Sequence, residues 1–181
     1  MERKIAMTAL FAALTAALGL LPKLSLASGV PITAQTLGVM LAGAVLGARL
    51  GALSVLLFLA LTALGLPLLA GGRGGLGVFM GPSVGFLLGW PLGAYVTGLV
   101  MERLRVGGVF VTATLAAVLG GIVAIYVPGI IGMAAMLDKP LPEAALLALP
   151  FIPGDLIKAI CTGLVVNAIW RARPEAVASL R

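Results

Sequence analysis

The sequence contains no histidine, a single cysteine and few charged residues, and each scarcity removes a class of function. Without histidine, the common zinc-ligand spacings and a serine–histidine–aspartate triad cannot be assembled. The lone thiol, Cys161, permits neither a disulfide framework nor a cysteine-based metal site. No Gly-Lys-Ser or Gly-Lys-Thr follows the glycine-rich stretches, so the chain has no phosphate loop of its own. Charged residues are 10% of the 181 positions, whereas 61% are hydrophobic and the mean hydropathy is +1.20. That composition lies outside the range of soluble globular domains and describes an all-α integral membrane protein. The net charge of +6 is spread as single Lys and Arg residues between apolar runs, so it reports orientation in a lipid bilayer and not a nucleic-acid partner.

The apolar runs predict spans at 5–21, 33–47, 50–66, 84–101, 106–127 and 154–170, within one membrane domain covering residues 1–181. The first, after Arg3 and Lys4, also resembles a signal peptide with a poor cleavage site at Leu24-Ser25-Leu26-Ala27-Ser28, although removal would leave the bundle one wall short. Along it Ala9, Ala13 and Ala17 recur every four residues, a smooth stripe that lets another helix approach, inside this protein or from a partner. The stretch 36–66 reads either as one tilted helix or as two helices turning at Gly47-Ala48-Arg49.

Charge decides between these. With six spans and cytoplasmic termini, Arg3, Lys4, Arg49, Arg103, Arg105, Arg171, Arg173 and Arg181 lie inside, and only Lys23, Arg73 and Lys139 outside. Five spans leave Arg3, Lys4, Arg73 and Lys139 inside against six basic residues outside, the reverse of the positive-inside bias. Pro128 and Gly129 are expected to kink or end the fifth span. The glycine-rich stretch Leu66–Ser83 reads as either a re-entrant lid or a plain connector.

The last span holds Asp155 and Lys158, one helical turn apart on the same face, just after Pro153 and Gly154 mark an expected helix start with free N–H groups. Ionisable residues at such depth point to a binding site by default, the alternative being an ion pair that only ties helices together.

Several motifs together resemble BioY, the biotin-binding substrate subunit of energy-coupling-factor (ECF) transporters. They are Val30-Pro31-Ile32-Thr33-Ala34-Gln35-Thr36-Leu37-Gly38-Val39, Leu46-Gly47-Ala48-Arg49-Leu50-Gly51-Ala52-Leu53-Ser54 and Gly65-Leu66-Pro67, followed by Ala70-Gly71-Gly72-Arg73-Gly74-Gly75, Gly81-Pro82 and Pro153-Gly154-Asp155-Leu156-Ile157-Lys158. The resemblance implies a six-helix subunit of the prokaryotic plasma membrane. It would capture biotin at the outer face and work with a transmembrane coupling protein and two cytoplasmic ATPase subunits. It implies no enzyme activity, catalytic residue, metal or cofactor in this chain, and it makes the stripe Ala9, Ala13 and Ala17 the surface for the coupling protein. The ligand set it implies is Asp155, Lys158, Thr33 and Gln35. Two departures stand out: Phe86 where the family commonly has tyrosine, and Arg73 where a small residue is frequent.

Biotin carries a ureido ring at one end and a carboxylate at the other, and two side chains one turn apart cannot reach both ends separately. Asp155 is therefore expected to accept from a ureido N–H while Lys158 donates to the ureido carbonyl, with Arg73, or second Lys23, on the carboxylate and the backbone of Gly72 and Gly74 close by. The competing assignment puts Lys158 on the carboxylate and Gln35 on the ureido group. Other readings are a subunit for another vitamin, a solitary biotin transporter, a purely structural membrane subunit, or an intramembrane enzyme using Cys161, which lacks a histidine to activate it.

Overall fold

Residues 2–23, 28–104 and 106–180 are described by the computed structural model, so the cleavage-like segment 24–27 and the basic residues Arg105 and Arg181 lie outside the described residues. Among those described, the elements are all helical, and the loop pairing of Leu69 with Arg73 is an isolated bridge. Helix α1 spans Glu2–Leu18, α2 Gln35–Leu46, α3 Ala48–Ala63 and α4 Val84–Arg103. Helix α5 (Val109–Val118) runs through a π-helical turn, Leu119–Ala124, into α6 (Ile125–Leu137). Helix α7 (Leu141–Ala148) passes through the 3₁₀ turn Leu149–Phe151 into α8 (Ile152–Ala172).

Three helical runs, Val84–Arg103, Val109–Leu137 and Leu141–Ala172, are long and apolar enough to cross a membrane. Their outer faces carry exposed leucine, valine and isoleucine, such as Leu88, Leu92, Val123, Val127, Ile131 and Leu164, as a lipid-facing surface does. Helix α2 is short because lipid is not its surroundings: ten of its 12 residues are buried by the other helices. The turn between α2 and α3 is a single residue, Gly47, at φ 87°, a conformation that glycine reaches without strain. The carboxylate of Glu102, at the end of α4, accepts from the Ala48 N–H over 2.8 Å and caps the start of α3.

Two expectations need correction. Pro128 and Gly129 do not end the fifth span, which continues to Leu137. Helix α4 packs on both sides of the proline: a Cβ added to Gly93 would strike Gly120 and Ile125, and one on Gly85 would lie 3.0 Å from Gly132. The last helix does start beside Pro153, but not at a free end. Proline fits the first turn of a helix, so α8 begins at Ile152 and joins α7 through the intervening 3₁₀ turn.

One end of the bundle gathers the start of α1, the Gly47 turn, the end of α4 and the C-terminal segment 174–180. There Arg3 donates to the Glu175 carbonyl over 3.0 Å, Ser179 bonds the Ala44 carbonyl, and Val177 is buried. The opposite end carries the 64–83 loop, the start of α2 and the first turns of α8, and the candidate site lies there.

Candidate functional site

Three helices meet at Asp155, which is 5% exposed. Its Oδ1 accepts from Lys158 Nζ over 2.8 Å and from Thr36 Oγ1 over 3.1 Å, and its Oδ2 accepts from Tyr126 OH over 2.7 Å. The Lys158 ammonium also donates to Thr36 Oγ1 over 2.9 Å. The one-turn spacing on α8 brings the acid and the amine together, α2 supplies Thr36 at its first turn, and α6 supplies Tyr126. An isolated buried charge would be very costly, and these three bonds give the carboxylate its partners.

A cleft opens above this cluster. Its walls are mainly apolar and aromatic. Phe86 stands edge-on to Tyr126 and to Phe151, with ring centroids 5.8 Å apart in both pairs. Gly129 makes room for it, since an added Cβ would come within 2.5 Å of the Phe86 ring. Trp90, Ile125 and Leu69 complete the walls, and Arg73 stands at the side facing the 64–83 loop. A cluster of one anion, one cation and two hydroxyls beneath aromatic walls suits a small, largely apolar ligand whose polar end offers an N–H beside a carbonyl.

Of the sequence-predicted residues, Asp155, Lys158, Thr33, Gln35 and Arg73 line this cleft. Gly72 and Gly74 lie outside its lining, in an adjoining groove. Gln35 lines the cleft, yet its amide is committed to the scaffold. Nε2 donates to the carbonyls of Thr15 and Leu68 over 3.2 and 3.0 Å, and Oε1 accepts from the Ala70 N–H over 3.0 Å. These bonds tie the base of the 64–83 loop to α1, while Leu76 and Met80 at its tip are 71% and 80% exposed. Arg73 Nε donates to the Ala70 carbonyl over 3.3 Å, and the Lys23 side chain folds over Gly71, outside the lining of the cleft. Cys161 and Thr162 are not in the lining; the Thr162 hydroxyl donates to the Lys158 carbonyl over 2.9 Å. The stripe of α1, Ala9, Ala13 and Ala17, is exposed, and the neighbouring Ala12 is buried.

Sequence reasoning passed over Tyr126 and the role of Thr36. Tyr126 is a single hydroxyl in an apolar run with no charged neighbour, so nothing local distinguishes it. A phenol absent at Phe86 is nonetheless present on the ring packed against it.

The model of the BioY family matches residues 2–175. A biotin transporter BioY from Rhodobacter capsulatus is 54% identical over 98% of both chains, and one from Rhizobium etli is 50% identical over 95% of both. A solved S-component for biotin from an ECF-type ABC transporter superposes with a TM-score of 0.88 at 33% identity, covering 93% of this chain and 91% of that one.

Proposed function

The chain belongs to the BioY family, and from that premise we infer how it works as the biotin-binding substrate subunit of an ECF-type transporter. The observation that carries the reading is the closed cluster of Asp155, Lys158, Thr36 and Tyr126 at the base of an aromatic-walled cleft. Biotin enters with its ureido ring first. Asp155 accepts from a ureido N–H and Lys158 donates to the ureido carbonyl, which exchanges part of the internal network for equivalent bonds to the ligand. Phe86, Trp90 and Phe151 cover the apolar thioether ring. The valerate chain then runs toward Arg73, with Lys23 over Gly71 as a second cation and Thr33 beside the path. Engagement of the Gln35 amide in three scaffold bonds favours this pose over one that places Gln35 on the ureido group.

The six helical segments cross the cell membrane with both termini in the cytoplasm, which places the basic ends Arg3, Lys4, Arg49, Arg103, Arg171 and Arg173 inside and the cleft outside. Energy comes from partner subunits, a transmembrane coupling protein and two cytoplasmic ATPases. The exposed stripe Ala9, Ala13 and Ala17 is the surface for the coupling protein.

Titration of the purified chain with biotin and with its methyl ester tests the pose. Asp155→Asn and Lys158→Ala should each weaken acid and ester alike, by about 2–5 kcal/mol or roughly 30- to several-thousand-fold. If Lys158→Ala weakens only the free acid, the amine binds the carboxylate and the pose is inverted.

A further inference from the structure

Beside the biotin cleft lies a second, more open groove, and the two meet at Arg73 and Ser83. Its lining is dominated by Gly29, Gly72, Gly74, Gly77 and Gly81, so what it presents is peptide backbone. Most glycines in this loop have local reasons to be glycine: Gly71, Gly72 and Gly75 have positive φ, and an added Cβ at Gly74 would overlap the backbone of Leu66. Gly77 and Gly81 have neither reason. Their φ angles are not positive, and a Cβ added at either would meet nothing within 4 Å. Gly81, at φ −122° and ψ 178° before Pro82, sits in the extended region that any residue adopts there. The lack of side chains at these two positions keeps the groove empty, and that is the effect requiring an explanation. A further observation concerns polarity: the N–H and C=O groups of Gly72 and Gly74 make no hydrogen bond within the described residues, although both flank Arg73.

We propose that this groove receives the tail of an amide-linked biotin conjugate, of which Nε-biotinyl-lysine is the simplest, so that the substrate class includes biotin acylated onto an amine as well as the free acid. The proposal rests on the ligand pose above, in which the valerate end reaches Arg73. Conversion of the carboxylate to an amide removes the charge that Arg73 would pair with and supplies one N–H and one C=O. The free peptide groups of Gly72 and Gly74 match that pair, and the methylene tail continues over Gly77 and Gly81 toward the exterior. A chain built for the acid alone would have no use for an open trough beyond its carboxylate partner.

The test uses the full chain in lipid nanodiscs, titrated with biotin and with Nε-biotinyl-lysine. The conjugate should bind within about tenfold of biotin, and Gly77→Phe and Gly81→Phe should each weaken it at least about tenfold while leaving biotin within about twofold. Binding of biotin with rejection of the conjugate by more than about a hundredfold overturns this inference and leaves the biotin reading intact. A chain that binds neither ligand overturns both. Equal effects of the groove variants on the two ligands, or none on either, also overturn it. Because a variant could fail to fold, a photoreactive diazirine on the lysine end of the conjugate gives a second measurement on the unaltered chain: labelling within residues 72–81 supports the tail's position, and labelling confined to other segments excludes it.

Discussion

The phenol of Tyr126 reaches Oδ2 of Asp155 over 2.7 Å, across 29 residues of chain, while Lys158 and Thr36 occupy Oδ1. The acid is thus held from both sides. The donor on the Oδ2 side comes from α6, just after the π-helical turn that breaks the regular register of its helix. Such turns are frequent at functional sites, because they re-aim a side chain without ending the helix.

Tyr126→Phe removes that donor and keeps the ring against Phe86. A buried charged acceptor left one bond short costs about 1.5–3 kcal/mol, so biotin affinity should fall roughly 10- to 150-fold by isothermal titration. Unchanged affinity would show that Lys158 and Thr36 alone set the acid's position.

Gln35 is predicted to act on the fold first and on the ligand second. Gln35→Leu leaves the Leu68 carbonyl and the Ala70 N–H without their partner, at about 1–3 kcal/mol for each buried group. The expected result is a lower melting temperature together with faster hydrogen exchange at the Ala70 amide. Slow exchange there, combined with a large loss of biotin binding, would make Gln35 a ligand contact after all.

The membrane character and the placement of Asp155 and Lys158 on one helix face were legible from local signatures, hydropathy and two charges one turn apart, and the break at Gly47 from the balance of basic residues between the loops. The remainder depends on residues far apart in sequence. Thr36 opens the apolar stretch 36–66, and only the packing of α2 on α8 brings it to the ion pair. Gln35 lines the cleft, but its role as a strut was not legible, since its partners lie at Thr15, Leu68 and Ala70 on two other segments. Pro128 carried a strong local signal for a helix end, yet the run continues through it, with α4 closely packed against both halves.

That packing makes its own prediction. Gly85, Gly89 and Gly93 form a stripe at four-residue spacing on α4, and each faces backbone or a buried side chain between Gly120 and Gly132. Because the neighbour of Gly85 is backbone, it cannot swing aside, so Gly85→Ala should destabilise the protein by about 1–3 kcal/mol. Thermal unfolding in detergent is the measurement; a melting temperature equal to that of the parent would mean that the two helices yield at this contact without cost.

The outer stripe of α1 should respond in the opposite way. Ala9, Ala13 and Ala17 are exposed, while the residues that seat α1 in the bundle, Phe11, Ala12 and Thr15, are buried on its other side. Ala13→Trp therefore adds bulk where this chain has nothing to clash with, and both the fold and the biotin affinity of the isolated chain should stay within about twofold of the parent. A partner helix that relies on close backbone approach cannot accommodate an indole at the contact. Co-purification of the coupling protein and ATPases with Ala13→Trp should accordingly be lost, together with ATP-dependent uptake by cells, even though biotin still binds. Retention of the full assembly would place the coupling protein on another face, whereas loss of biotin binding in the isolated chain would make the stripe part of the protein's own packing.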